Sequence, residues 1–451
     1  MNNLNDIKYK TGEYLSKKII NLISNLSDDN LERLMFIVEK TTPKTHKGIV
    51  SKVMTLFKKN HPSLDLVKNF IRNTDTNCRD KLFINLILNG LILNQKKRNK
   101  FLRNQDLYVP TTILISPTMR CNFKCKGCYA NDYKQEDGLS FEVVDRIVKE
   151  GKELGVAFYT MLGGEPFIWK DLFKLFERHK DTYFQVYTNG SLINENVVNK
   201  LLELGNVMPM FSLEGFDEKT DRRRGKGTYK HLTKVMSLLK NRKIPFGYSV
   251  FVTRENVEEV MSDEFVDMMI GKGAYIGWHF MCMPIGNKPD LKMMITPKQR
   301  VYMLKRGTEI RATKPLFIID FWNDAPFVKG CIAARCYIHI NSNGDVEPCI
   351  FTHFAQDNIK EKSLKEVLQS DFFKAIRKRQ SYNDNLFLPC MLIDHPNVFR
   401  EIHEEVKIRS THPGAESLIN KLKPGIDKYS KEVKKLYKPI WEDFKNRKYS
   451  K

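Results

Sequence analysis

Thr112-Ile-Leu-Ile-Ser116-Pro-Thr-Met-Arg-Cys121-Asn-Phe-Lys-Cys125-Lys-Gly-Cys128-Tyr129 joins a short apolar run to a loop carrying three cysteines. The apolar run, 112–116, reads as a buried strand. Similar apolar, β-branched or aromatic runs recur at 157–162, 183–187, 208–213, 248–252 and 275–281. Between them, 141–154 (with Ser140 as N-cap), 172–178, 195–204, 229–239 and 264–269 have helical spacing. Strands and helices alternating in this way predict an α/β fold. The expected form is a parallel sheet curved into a partial (β/α)6, TIM-like barrel. In such a fold, active residues gather at the C-terminal ends of the strands.

The cysteine loop sits at the first of these ends. Three thiolates at C-x3-C-x2-C spacing can hold three irons of a cubane and leave the fourth without a protein ligand. A structural zinc site usually closes with four ligands, and a simple electron-transfer cluster also uses four cysteines. No fourth thiol lies close by in sequence. Zinc is the competing reading of the loop.

Working outward, residues 1–108 form a helical N-terminal region with apolar periodicity at 15–34 and 66–93, broken by Pro43 and Pro62. The most apolar stretch, 82–93, contains Asn85, Asn89 and Gly90 and precedes Lys96-Lys97-Arg98. It is too short to span a bilayer. It reads as a face docked on the main domain in preference to a membrane-surface helix. Residues 109–320 form the barrel. Residues 321–398 form a small Cys-rich α+β domain, with a hairpin of 337–340 and 346–351 around Asn341-Ser-Asn-Gly344-Asp345. Residues 399–451 form a basic helical tail.

The 451 residues include 75 Lys and Arg against 53 Asp and Glu, a formal +22. Two bound clusters would trim this to about +19. Such an excess suits nucleic acid, a membrane surface or a phosphorylated substrate, or simply many solvated lysines. No nucleic-acid module is recognisable. The polar start, Met1 to Lys18, lacks the apolar core of a secretory signal. A cytoplasmic location is therefore expected, with peripheral contact at the inner face of the membrane as its variant. Nine cysteines in such a chain read as metal binding or catalysis, not disulfides. Cys78 and Cys282 stand apart and read as small apolar core residues.

With Tyr129 directly after its last cysteine, the loop resembles the signature of the radical S-adenosylmethionine (SAM) superfamily. The resemblance implies that Cys121, Cys125 and Cys128 hold a [4Fe–4S] cluster whose open iron is bound by SAM. It continues through Gly163-Gly164-Glu165-Pro166 at the end of the second strand, which implies carbonyls and a carboxylate facing the methionyl amine. Thr188-Asn189-Gly190 ends the third strand at a common cofactor-side position. Ser212 and Glu214 end the fourth, where the family receives the ribose hydroxyls or the methionyl part. Arg224-Gly225-Lys226-Gly227 is similar to a motif of peptide-modifying members, with Arg224 pairing with the cofactor carboxylate. Thr253 and Asn256 would line the adenine side, and Trp278, His279 and Met281 the substrate cavity. Each has a plainer reading: Glu165 as a solvated turn acid, Asn189-Gly190 as a turn, the arginines as a solvated basic turn, and the last five as packing.

Cys331, Gly344 and Cys349, at C-x12-G-x4-C spacing, resemble the start of a SPASM domain or its shortened twitch form. With Cys336 and Cys390 this implies one auxiliary [4Fe–4S] cluster, since the further cysteines of a full SPASM domain are missing. Zinc or unused thiols is the alternative. The implied protein is an enzyme, an oxygen-sensitive oxidoreductase. It would take an electron from a flavodoxin or ferredoxin, cleave SAM to a 5′-deoxyadenosyl radical, and abstract hydrogen from an unactivated carbon of a peptide or a lipid. The competing class is a non-catalytic iron–sulfur or zinc scaffold.

Overall fold

The computed structural model describes residues 61–133, 138–286 and 288–449, so the helix expected at 15–34 lies outside the described residues. All six expected strands are present: β1 Thr112–Ile115, β2 Phe158–Met161, β3 Tyr183–Thr188, β4 Val207–Leu213, β5 Gly247–Val252 and β6 Ile276–Met281. A seventh, β7 Phe317–Asp320, adds to β6. β1 to β7 pair in chain order and in parallel. Every loop that leaves a strand's C-terminal end therefore opens on one side, which is the arrangement a partial barrel requires.

Helices lie where the apolar periodicity placed them at 141–154, 172–178, 195–204, 229–239 and 264–269, among others. N-terminal to the sheet are α1 Pro62–Asn73, α2 Thr76–Lys81 and α3 Asn94–Gln105. The crossovers are α4 Phe141–Leu154, α5 Leu172–Arg178, α6 Glu195–Leu204, α7 Asp217–Arg224, α8 Thr228–Asn241, α9 Val257–Val260, α10 Asp263–Lys272 and α11 Pro297–Thr313. Ser140 caps α4 as expected, its Oγ accepting from Val143 N at 3.4 Å. Outward-facing strand residues such as Ile113, Tyr159, Phe184, Phe211 and Val250 bury against these helices in one continuous core.

The seventh strand escapes sequence reading because its four-residue run, Phe-Ile-Ile-Asp, ends in a charge. Its outer edge is blocked by side chains. Arg311 donates to Ile318 O at 3.2 Å, and Asp320 N donates to Asp324 Oδ2 at 2.9 Å. Arg311 and Asp324 also pair with each other at 3.1 Å. An edge so covered cannot template another strand.

The Cys-rich segment joins the barrel directly. Its strand β8, Tyr337–Ile340, pairs in parallel with β1, and β9, Val346–Glu347, turns back antiparallel on β8. β9 is shorter than expected because Pro348 offers no N–H to the ladder. A strand pair follows, β10 Phe354–Ala355 with β11 Arg409–Ser410. Helices α12 Leu364–Val367, α13 Asp371–Arg379, α14 Pro396–Glu405 and α15 Lys423–Tyr449 complete the chain.

The stretch Leu82–Leu93 is a π-helix, and it docks as preferred. Its asparagine strip faces inward: Asn85 Nδ2 donates to Lys180 O at 2.9 Å and Thr182 O at 3.4 Å. Those carbonyls precede β3, so the segment lies at the N-terminal side of the sheet, opposite the loops that matter below. Leu91, Ile92 and Leu93 remain exposed. No helix among the described residues is long and apolar enough to cross a membrane.

Candidate functional site

The exits of β1, β2, β3 and β4 are joined by hydrogen bonds. The cysteine loop folds across the exit of β2, with Gly164 N donating to Thr118 O at 3.0 Å and Glu165 N to Arg120 O at 2.9 Å. The glycines permit this approach. A Cβ on Gly163 would stand 2.1 Å from Thr118 O, and one on Gly164 would stand 2.3 Å from Arg120 O. Pro166 then begins a 3₁₀ turn capped by Glu165.

Glu165 is fully buried, unlike a solvated turn acid. Its Oε1 accepts from Thr188 Oγ1 at 2.8 Å and Phe167 N at 3.2 Å, and its Oε2 from Asn189 N at 2.8 Å. Burial pushes its pKa up, and these donors pull it down. Asn189 carries the link onward, donating to Asn122 Oδ1 at 3.0 Å and reaching Cys121 Sγ at 3.9 Å.

On the other side, Glu214 is buried between two guanidiniums. Arg223 reaches its Oε1 at 2.6 Å, and Arg224 reaches the same oxygen through Nε at 2.8 Å. Of the three arginines expected in one solvated turn, Arg222 alone is so placed, pairing with the exposed Glu255. Arg223 also grips the cysteine loop: Lys126 N donates to Arg223 O at 3.0 Å, and Arg223 Nε donates to Lys126 O at 3.1 Å. Two cations against one carboxylate leave net positive charge beside Cys125. Burial raises that thiol's pKa, and Arg224 and Arg223 oppose the rise. Cys121 is pushed up to about 11, mainly by burial. Glu214 Oε2 is buried without a hydrogen-bond partner.

The remaining barrel residues divide by strand alternation. Ser212 Oγ lies 3.4 Å from Ser249 Oγ. Asn256 packs as structure, donating to Glu214 O at 2.9 Å and Phe251 O at 3.0 Å and accepting from Thr253 N at 2.6 Å. Trp278 stacks on Phe280, which also meets Phe321, Tyr187 and Phe351. His279 and Met281 occupy the opposite face and are buried, so of the three expected wall residues Trp278 alone joins this aromatic group.

In the C-terminal segment, Cys331, Cys349 and Cys390 surround two tyrosines. Tyr337 OH lies 2.6 Å from Cys349 Sγ, and Tyr382 bonds Cys331. Burial is the largest cause raising all three thiols, Cys349 to about 12. Cys331 adds to the rise at both Cys349 and Cys390, so the three share one neighbourhood. Cys336 has other neighbours, Arg335 and Arg98. Cys78 and Cys282 are buried as read.

No cysteine is in a disulfide. Among the described residues, no three His, Cys, Asp or Glu side chains are grouped tightly enough to hold a single metal ion. The donors fit a group several ångströms across: two sets of three thiols, among which burial makes Cys121, Cys125, Cys331, Cys349 and Cys390 costly to ionise unless iron supplies the compensating charge. The orphaned Glu214 oxygen, beside the first set, fits a polar ligand that brings a donor.

Residues 115–265 match the Radical SAM superfamily, and residues 331–391 match SPASM, an iron–sulfur cluster-binding domain. The chain therefore carries a radical SAM domain followed by a SPASM domain. A radical SAM domain binds a [4Fe–4S] cluster together with SAM, and a SPASM domain binds auxiliary iron–sulfur clusters. The chain is 26% identical over 270 residues to the sporulation killing factor maturation protein SkfB of Bacillus subtilis (strain 168), covering 58% of this chain and 65% of SkfB. It is 32% identical over 153 residues to the Fe-coproporphyrin III synthase of Methanosarcina barkeri (strain Fusaro / DSM 804), covering 33% of this chain and 38% of that enzyme. The chain thus spans less than two thirds of the length of these relatives. Among solved structures, Streptococcus suis SuiB bound to S-adenosylmethionine has the same fold, with TM-score 0.54, 20% identity, and coverage of 71% of this chain and 84% of SuiB. SuiB has also been solved bound to its precursor peptide SuiA.

Arg223 and the aromatic group at Phe280, Phe321 and Phe351 were not singled out in the sequence. Alternation placed Phe280 beside Trp278, and that signal was available. For Arg223 nothing local distinguishes it from its two arginine neighbours.

Proposed function

We propose that the protein is a SAM-dependent radical enzyme acting on a peptide, with residues 109–320 as its catalytic core and 321–398 as its auxiliary-cluster unit. The observation that carries this reading is the hydrogen-bonded contact of the three-cysteine loop with the Gly163-Gly164-Glu165-Pro166 turn. When bound, the cluster supplies the electron that cleaves SAM to a 5′-deoxyadenosyl radical able to abstract hydrogen from an unactivated carbon. The chain's own work is positioning. Cys121, Cys125 and Cys128 hold the cluster, and Gly163 and Gly164 let the cysteine loop lie against β2. Glu165 and Asn189 fix the exits of β2 and β3 against that loop. Glu214, with one oxygen to spare, and Ser212 receive the polar groups of SAM. Arg224, held on Glu214, completes the site as a cation beside the cofactor carboxylate. Cys331, Cys349 and Cys390 hold one auxiliary cluster, while Cys336 faces Arg98 and is not needed for it. A flavodoxin or ferredoxin serves as reductant, in a reducing compartment.

A peptide substrate is supported by SkfB, a maturation protein, and by SuiB with its bound precursor; both likenesses extend over more than half of this chain. A lipid substrate at a membrane surface is the second reading, supported by exposed Leu91, Ile92 and Leu93 next to Lys96 and Lys97. Anaerobic reconstitution tests the enzyme: about four irons per cluster and 5′-deoxyadenosine formation with dithionite and SAM are expected. Cys125→Ala should abolish that product and leave the far-ultraviolet circular dichroism unchanged. Stoichiometric zinc without SAM cleavage would make the protein a scaffold. Mass spectrometry of peptides and lipids after incubation with cell extract separates the two substrates.

A further inference from the structure

We propose that His412 is a positioning residue for the cysteine loop, so that the end of the chain braces the primary cluster. His412 lies outside both family-matched spans, in a stretch expected only to be a basic helical tail. The loop that carries the three thiols has little regular structure beyond the 3₁₀ turn Tyr129–Asp132. Its hold on geometry must come from outside. The exits of β2 and β3 grip it through Glu165 and Asn189, and Arg223 grips it from the side of β4. At its far end, immediately after Cys128, His412 Nε2–H donates to Tyr129 O at 2.9 Å. The imidazole is also packed by rings, with centroids 4.8 Å from Tyr133 and 4.9 Å from His353. It is 3% exposed.

The segment bearing His412 is itself anchored. Arg409 and Ser410 pair with Phe354 and Ala355, and Arg409 donates to Gln356 O at 2.8 Å and is ion-paired with Asp345. Thr411 N donates to His353 O at 3.0 Å, and Thr411 Oγ1 donates to Glu347. Glu347 Oε2 contacts His339 Nδ1 at 2.6 Å, and His339 Nε2 meets Ser116 Oγ at 2.8 Å. Ser116 closes β1 ahead of the cysteine loop. This segment is thus tied to the loop at both of the loop's ends, through Thr411 and the fully buried Glu347, His339 and Ser116 at one and His412 at the other.

The inference rests on the reading of the three thiols as a cluster site. Full-length wild type, H412A and H412Q are reconstituted anaerobically, each also with Cys349→Ala to isolate the primary cluster and with Cys125→Ala to isolate the auxiliary one. Iron release to a ferrous chelator and the electron paramagnetic resonance of the reduced cluster, with and without SAM, are read. In the Cys349→Ala background, H412A is expected to lose iron about tenfold faster, the usual scale for an outer-shell partner, and to alter the SAM-induced spectral change. H412Q, which keeps a donor, should restore both. Iron release in the Cys125→Ala background should not move. An H412A protein that matches wild type, an acceleration equal in both backgrounds, or failure of H412Q to rescue overturns the proposal. Failure of the parent reading looks different: wild type would then carry no more iron than Cys125→Ala.

Discussion

Gly164 carries no chemistry, yet the site depends on what it lacks. An added methyl would meet Arg120 O at 2.3 Å and Met119 O at 2.4 Å, both backbone atoms that move only with the cysteine loop. Gly164→Ala should therefore cost about 1–3 kcal/mol of stability and lower iron loading, as read by urea denaturation and iron assay. His279 illustrates a different constraint. Burial holds its pKa at about 4, against an ordinary 6.5, so the unfolded chain takes up a proton first as pH falls. The stability linked to it is complete above about pH 6.5 and is lost as pH drops toward 4, amounting to roughly 2 kcal/mol by pH 5. His279→Phe should show a smaller fall in urea midpoint between pH 7 and pH 5 than wild type. The residue motifs were legible because cofactor chemistry demands particular types at fixed spacing. Partners were not: nothing near Glu214 in sequence says that two guanidiniums close on it, or that Glu165 is held by Thr188 and Asn189.

At the scale of elements, six strands and the crossover helices α4, α5, α6, α8 and α10 followed from apolar periodicity, because burial on both sheet faces leaves long apolar runs. Helix α7, with no apolar residue, and helices α9 and α11 did not. β7 was missed because four residues ending in Asp carry too little pattern. β8 was seen as half of a hairpin, but its parallel pairing with β1 depends on contacts more than 200 residues apart in sequence. That pairing decides what the second cysteine group can do. It ties Cys336 O to Thr111 N at 2.7 Å, away from the pair that the β8–β9 hairpin makes of Tyr337 and Cys349. Cys349→Ala should remove only the auxiliary iron and leave the primary cluster's SAM response. Cys336→Ala should keep all the iron. Iron counting with Mössbauer spectroscopy checks both.

Across the whole molecule, barrel, Cys-rich segment and tail are fastened by one buried ion pair. Arg300 of α11 reaches Asp394 at 2.5 and 3.2 Å, with both side chains wholly buried. Ser430 of α15 donates to Asp394 O at 2.6 Å, and Tyr437 OH donates to Asn323 Oδ1 at 2.7 Å. Asp394→Ala leaves a buried guanidinium uncompensated and should cost about 3–5 kcal/mol, read as a lower urea midpoint. Because Asp394 Oδ2 also accepts from Cys390 N at 3.0 Å, the same change should weaken auxiliary iron retention.

Sequence alone determined the β/α alternation, the three-cysteine loop after the first strand and the glycine turn after the second. Each of these is local: apolar period, ligand spacing and a close backbone approach are written in consecutive residues. Tertiary structure decided which thiols share a neighbourhood, which arginines leave solvent and that residue 412 returns to the loop at 121–129. Those outcomes depend on burial and pairing between segments hundreds of residues apart, where the free energy belongs to the contact and to neither segment by itself.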